Sequence, residues 1–259
     1  MNHGSQFSID VGTKTDIGRV RQNNEDTFAV AQEINLWVVS DGMGGEKHGE
    51  LASAIAIETI VATCRSNSLL PSDFDRSLVD ISERGNRLLR ATHLANQEIF
   101  NSASQNSDHH GMGATVVAAW LDKNRLSLVN VGDSRAYLLH SDQIEQLTAD
   151  HTLVAEQVRR GIILPQQALT NKLQNVLIRA LGVHAAVEPD VREFELNPDE
   201  TLLMCTDGLT RMVEDSKIAT TILAAPSAQS AADRLVNLAN ECGGQDNVTV
   251  IVVRFCAKS

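Results

Sequence analysis

The sequence predicts an α+β protein in which β-sheets are stacked in layers and helices lie in blocks between runs of strands. Three observations carry that expectation. Short segments of alternating or β-branched character recur along the chain, many joined by turn-like links that favour antiparallel pairing. Four longer segments repeat apolar residues at intervals of three and four, the spacing of an amphipathic helix. No Pro/Gly/Ser linker divides the 259 residues, so one domain spanning 1–259 is expected.

In chain order, strands are expected near 8–12, 27–31 and 35–40, then a helix ELASAIAIETIVATC at 50–64 and a longer one, SLVDISERGNRLLRATHLANQEIF, at 77–100. Apolar and β-branched runs place further strands near 113–121, 126–131 and 134–140. The stretch of about 148–185 mixes patterns and reads as an irregular, flap-like insertion over a site. Strands near 188–196, 201–206 and 247–255 follow, with helices at 216–225 and 229–242 between the last two.

Composition excludes several classes. A net charge of −11 would repel nucleic acid and anionic membranes, and no local basic patch offsets it. No apolar run approaches the ~18 residues that would span a bilayer, and MNHGSQFSIDVG lacks the basic-then-apolar pattern of a signal peptide. The last strand ends shortly before Ser259, so a monomeric cytoplasmic protein without a membrane anchor is expected. Cys64, Cys205, Cys242 and Cys256 form no C-x-x-C pair, which points to buried thiols in a reducing compartment and away from zinc ribbons.

The chemistry gathers around acids at strand ends. VVSDGMGG runs an apolar segment into Asp41 and then three glycines within four residues, and TLLMCTDG repeats the pattern at Asp207. Glu25 and Asp26 stand just before one strand, and Asp246 just before another. If 27–31 and 35–40 form a hairpin, Glu25 and Asp26 lie beside Asp41. If 201–206 and 247–255 are antiparallel neighbours, Asp207 and Asp246 share an end. Convergence of both pairs would crowd four or five carboxylates that need protons or cations to coexist. A set of oxygen ligands without His or Cys suits Mg²⁺ or Mn²⁺, and two such ions would make a hydrolytic centre for phosphoryl transfer. Glycine after Asp41 would let a backbone carbonyl approach an ion. The plain alternative is a set of unrelated turn acids.

Seven blocks along the chain resemble the metal-dependent protein phosphatases of type 2C in their compact bacterial form. They are GRVRQNNED at 18–26, SDGMGGEKHGELAS at 40–53, GMGATVVAAWL at 111–121, NVGDSRAYLL at 130–139, LTADHTLVAEQVRRG at 147–161, CTDGL at 205–209 and GGQDNVTV at 243–250. The resemblance implies a four-layer α-β-β-α sandwich, two antiparallel sheets flanked by helices, with a two-metal centre at one end. It implies that Asp41 bridges two Mn²⁺ or Mg²⁺ ions, that the Gly42 carbonyl binds one, that Asp207 and Asp246 hold the second, and that Glu25 acts through bound water. Asp26 would support these ligands. Asp133 matches a position that in bacterial relatives takes part in a third, weaker metal site, and otherwise reads as a turn aspartate. Arg21 matches the arginine that grips the substrate phosphate with its planar fork. Arg135 reads as structural, paired with a nearby acid, and Asn247 as a residue that orients its loop.

The activity so implied is hydrolysis of phosphoserine and phosphothreonine in proteins by a metal-bridging hydroxide, opposing a cognate Ser/Thr kinase. Two positions depart from the pattern: Met43 and Glu46 stand where relatives carry histidine, which leaves the general acid unassigned, with His48 nearby. The flap segment TNKLQNVLIRALG also lacks the expected histidine-proline. Two rival readings are weaker. Cys205 to Arg211 satisfies C-x5-R, but Asp207 would sit inside that phosphate cradle. A non-catalytic binding module would be expected to have lost ligand acids, whereas Asp41, Asp207 and Asp246 are all in place.

Overall fold

The computed structural model describes residues 7–44, 48–66, 78–106, 109, 111–168 and 171–258. Eleven strands in these residues form two antiparallel sheets. The first contains β1 (Phe7–Asp16), β11 (Val248–Ala257), β10 (Thr201–Cys205), β7 (Arg135–His140) and β8 (Gln143–Gln146), in that order. The second runs β2 (Asp26–Ala31), β3 (Leu36–Met43), β5 (Val116–Asp122), β6 (Arg125–Val131) and β9 (Asp190–Glu195), with β4 (Gly113–Ala114) paired to the end of β3.

Three apolar clusters separate four layers, because the central strands are apolar on both faces. In β3, Trp37 and Val39 point between the sheets, where they join Val117, Met204, Val253 and Phe255. Leu36 and Val38 point the other way, onto α1 (His48–Arg65) and α2 (Glu83–Gln105) through Ala52, Ile60, Leu88 and Ile99. β11 does the same: Ile251 and Val253 face the other sheet, while Val250 and Val252 meet α5 (Asp207–Thr210), α6 (Asp215–Leu223) and α7 (Ala228–Glu241). The uninterrupted runs LWVV and VTVIVV thus belong to strands with a partner layer on either side.

Most expected elements are present, with four differences. The strand expected at 113–121 is broken at Thr115, whose N–H donates to the Asp41 carbonyl at 2.8 Å and whose hydroxyl accepts from the Asp41 N–H at 3.1 Å. The helix expected from 77 begins at Glu83, where Ser82 caps it by accepting from the Gly85 N–H; residue 77 itself lies outside the described residues. β8 pairs β7 through QIEQ, a run too polar to have been read as a strand. Finally, Cys64 and Cys205 are buried, but Cys242 and Cys256 are exposed, contrary to the expectation of four buried thiols. Among the described residues, the stretch 148–185 contains α3 (Leu153–Arg159), α4 (Pro165–Ala168) and isolated bridges.

β1 and α7 meet so closely at Gly12 that a Cβ there would lie 2.2 Å from the Ala228 carbonyl carbon and the Gln229 nitrogen. The helix cannot yield without losing the bonds from Ala228 N–H to Asp10 and from Thr13 N–H to Gln229. Gly12→Ala is therefore expected to lower stability by about 1–3 kcal/mol, the usual cost of overpacking. Urea denaturation monitored by circular dichroism measures it.

Candidate active site and metal centre

Strand register gathers the acids. Asp26 lies directly across from Asp41 in the β2–β3 pair. In the other sheet Cys205 is paired with Val250, so Asp207, just past β10, and Asp246, just before β11, emerge at the same end. β1 ends with Asp16 opposite Val248, which feeds the segment bearing Arg21 past Asp246. Arg21, Glu25, Asp41, Gly42, Asp133, Asp207 and Asp246 are among the residues that line one open cleft of about 1030 Å³. Asn175 and Leu177, from the 148–185 segment, line it too.

Each acid is held by a specific partner. The Glu25 N–H donates to Asn247 Oδ1 at 2.8 Å, and Asn247 Nδ2 donates to the carbonyls of Ile17 and Asn23. Asn247 thereby ties its own loop to the 17–25 segment, the orienting part expected of it. The Glu25 carboxylate accepts from the N–H of Gly49 in the first turn of α1, where a helix favours negative charge. Asp26 is buried, with Oδ2 accepting from the hydroxyls of Thr206 at 2.9 Å and Thr249 at 2.7 Å. Arg135 grips Asp150 at 2.7 Å, the structural pairing expected of it. Gly42 is required by close approach: a Cβ would lie 2.0 Å from the Gly49 carbonyl oxygen, so the glycine lets α1 begin against the end of β3.

Charge in the cleft is unbalanced. Glu25, Asp41, Glu50, Asp133, Asp207 and Asp246 line it against two arginines, Arg21 and Arg211, a surplus that two divalent ions would neutralise. Arg21 lays its fork on Asp246, with Nε–Oδ1 and Nη2–Oδ2 both at 2.9 Å, and this bond holds its guanidinium above the usual range. Arg211 pairs with Asp207, Asp133 and Asp246. Burial pushes the Asp26 carboxyl up to about 7. Burial, with like charges added, holds Asp41 and Asp207 well above the normal aspartate value. Burial also raises Asp133, against the pull of Arg211, and raises Glu25, against the pull of Arg21.

Two buried oxygens, Asp26 Oδ1 and Asp207 Oδ1, have no hydrogen-bond partner. An unmatched buried carboxylate oxygen is costly unless something binds it. The donor set is all oxygen, so the residues fit hard divalent ions. Among the described residues no three acids form a ready-made cage, the arginines lying between them instead. Arg211 was missed by sequence reasoning except as the tail of C-x5-R. That rival is now excluded: Cys205 is buried with its thiol pushed up by burial, and Arg211 turns to the aspartates. No histidine is among the described residues that line the cleft; His48 packs instead against His109, with ring centroids 5.3 Å apart. Glu46 lies outside the described residues.

The sequence profile of the family described as Protein phosphatase 2C matches residues 18–247. The serine/threonine phosphatase stp of Listeria innocua is 36% identical over 243 residues, 93% of each chain. The crystal structure of the Mycobacterium tuberculosis serine/threonine phosphatase PstP/Ppp superimposes with a TM-score of 0.84 at 33% identity, covering 96% of this chain and 99% of that one. A PstP catalytic domain in complex with two manganese ions gives 0.81 at 34% identity, covering 96% and 98%. With its sheets, its acids and these likenesses in agreement, the chain belongs to the protein phosphatase 2C family.

Proposed function

We propose that this chain is a single-domain, Mn²⁺- or Mg²⁺-dependent protein phosphatase that hydrolyses phosphoserine and phosphothreonine. The observation that carries the reading is the meeting of Glu25, Asp41, Asp133, Asp207 and Asp246 in one cleft, with a buried Asp207 oxygen left unpartnered. The relatives named serine/threonine phosphatase support the substrate class, and the manganese-bound PstP domain supports the metal.

Asp41, Asp207, Asp246 and the Gly42 carbonyl would hold two ions, with Glu25 contributing through water. Bound there, the ions supply a water acidified enough to attack phosphorus near neutral pH and positive charge to match the phosphate oxygens. The chain's own residues do the rest. Asp26, fixed by two threonine hydroxyls, keeps β2 in register with β3 and so sets the direction of Asp41. Arg21 is half-exposed at the mouth, and the fork now shared by both Asp246 oxygens has the geometry to take two phosphate oxygens. No described lining residue is a histidine that could protonate the leaving group.

A phosphoprotein needs an open approach, and Arg21, on the lining of the open cleft, is half-exposed. No described helix is long and apolar enough to cross a membrane. A monomer in the cytoplasm, acting against a cognate Ser/Thr kinase, completes the proposal, in keeping with the net charge of −11.

Hydrolysis of p-nitrophenyl phosphate and of a phosphothreonine peptide should require Mn²⁺ and stop on chelation. Asp207→Asn should lower kcat on the order of 100-fold; equal rates with and without the metal and the mutation would discard the enzyme reading. Arg21→Ala should raise KM for the peptide roughly 10-fold or more, given ~1.5–3 kcal/mol for a charge-assisted hydrogen bond.

The pH dependence has a definite sign. Asp26 titrates at about 7 in the folded protein against the ordinary 3.8, so the native state retains a proton that the unfolded chain has lost. Its stability contribution is full below about 4 and is lost as pH rises through about 7. In chelator, the melting temperature should therefore fall across that interval, Asp26→Asn should flatten the fall, and Mn²⁺ should reverse it. Calorimetry of the three samples checks this.

A further inference from the structure

Arg211 is placed where a cation would be expected. It follows α5, four residues after Asp207, so both side chains share one face of the turn. Its Nη2 pairs with Asp207 Oδ2 and, at 3.3 Å, with Asp133 Oδ2, while Nη1 lies 3.7 Å from Asp246 Oδ2. The Asp133 and Asp207 side chains are each only 8% exposed, so these contacts are made away from bulk water.

We propose that the Arg211 guanidinium takes the cation position between Asp133 and Asp207, so that the chain binds two divalent ions and excludes a third from Asp133. The inference rests on the two-ion reading above and adds to it a residue that sets the metal count. Asp207 is divided between two tasks. Oδ2 is held by Arg211, whereas Oδ1 is buried and unpartnered, left for an ion of the core pair. Asp133 meets the same guanidinium through its Oδ2, at 3.3 Å. Arg135, two residues from Asp133, does not serve in its place, being committed to Asp150 and the Tyr137 hydroxyl.

The chemistry favours the arginine in this competition. A guanidinium is charged at every working pH and needs no dehydration comparable to that of Mg²⁺ or Mn²⁺. It is also tethered, so it meets the two carboxylates at an effective concentration that a free ion reaches only in the millimolar range. The consequence is a metal count fixed by the chain rather than by the ion concentration.

Titration with Mn²⁺, following the free-ion signal by electron paramagnetic resonance, counts bound ions at saturation. The wild-type chain is expected to bind two, Arg211→Ala three, and the double variant Arg211→Ala/Asp133→Asn two again. Circular dichroism confirms folding, and Arg211→Gln, which keeps part of the side chain's bulk, is expected to behave as Arg211→Ala does. Three ions in the wild-type chain, or two in a folded Arg211 variant, would overturn the proposal. Asp133→Asn alone supplies a test that needs no Arg211 variant: an unchanged count of two supports the proposal, and a loss of one ion overturns it. Fewer than two ions in the wild-type chain would instead sink the metal reading on which the inference depends.

Discussion

Carboxylates crowded into a cleft lose hydration and repel one another, so a fold that brings Glu25, Asp41, Asp133, Asp207 and Asp246 together must oppose that cost by other means. Here the opposing force comes from strand pairing beneath the cleft. Asp41 and Asp26 are fixed by the β2–β3 ladder, while Asp207 and Asp246 are fixed by β10–β11. Between the ladders lies an apolar layer built from Trp37, Val39, Met204 and Phe255. The acids sit at the end of this layer and cannot separate without parting the sheets. Positive charge then becomes the remaining requirement, met in part by Arg21 and Arg211.

The layered fold was legible because its signals are local. LWVV and VTVIVV lie in segments expected as strands, and α1 and α7 showed their periodicity within one or two residues of their observed ends. The hairpin that sets Asp26 against Asp41 followed from adjacent segments. The neighbouring of β10 and β11 was an assumption from the sequence, since about forty residues separate them, and the register of Cys205 with Val250 supplies it. What stayed hidden depends on contacts between distant segments. Nothing local to Thr206 or Thr249 says that both hydroxyls converge on Asp26. Arg211 was visible only as a charged residue after a turn, because its partners Asp133 and Asp246 lie on other elements. Its spacing from Asp207 was the one available signal. A second demand on Gly42, the close approach of α1, also had no local signal.

Thr115 shows how the irregular segment is joined to the acids. The break at Thr115 leaves the register intact: β4 and β5 pair with β3 in one alignment, and between them Thr115 bonds both the N–H and the C=O of Asp41, its hydroxyl accepting from the N–H. Its hydroxyl also meets that of Ser134 at 2.7 Å, next to Asp133. One residue earlier, Ala114 exchanges two backbone bonds with Leu181 at the far end of the 148–185 segment. At the near end, His151 is buried, its N–H donating to the Gly132 carbonyl at 3.0 Å and its Nδ1 accepting from the Gly132 N–H at 3.2 Å. Both roots of the segment are therefore fastened one residue away from groups that touch or carry an acid. Asn175 and Leu177, which reach the cleft, hang between those two anchorages. Backbone hydrogen bonds thus run from one root through Ala114 and Thr115 to Asp41, and from the other to Gly132, the residue before Asp133.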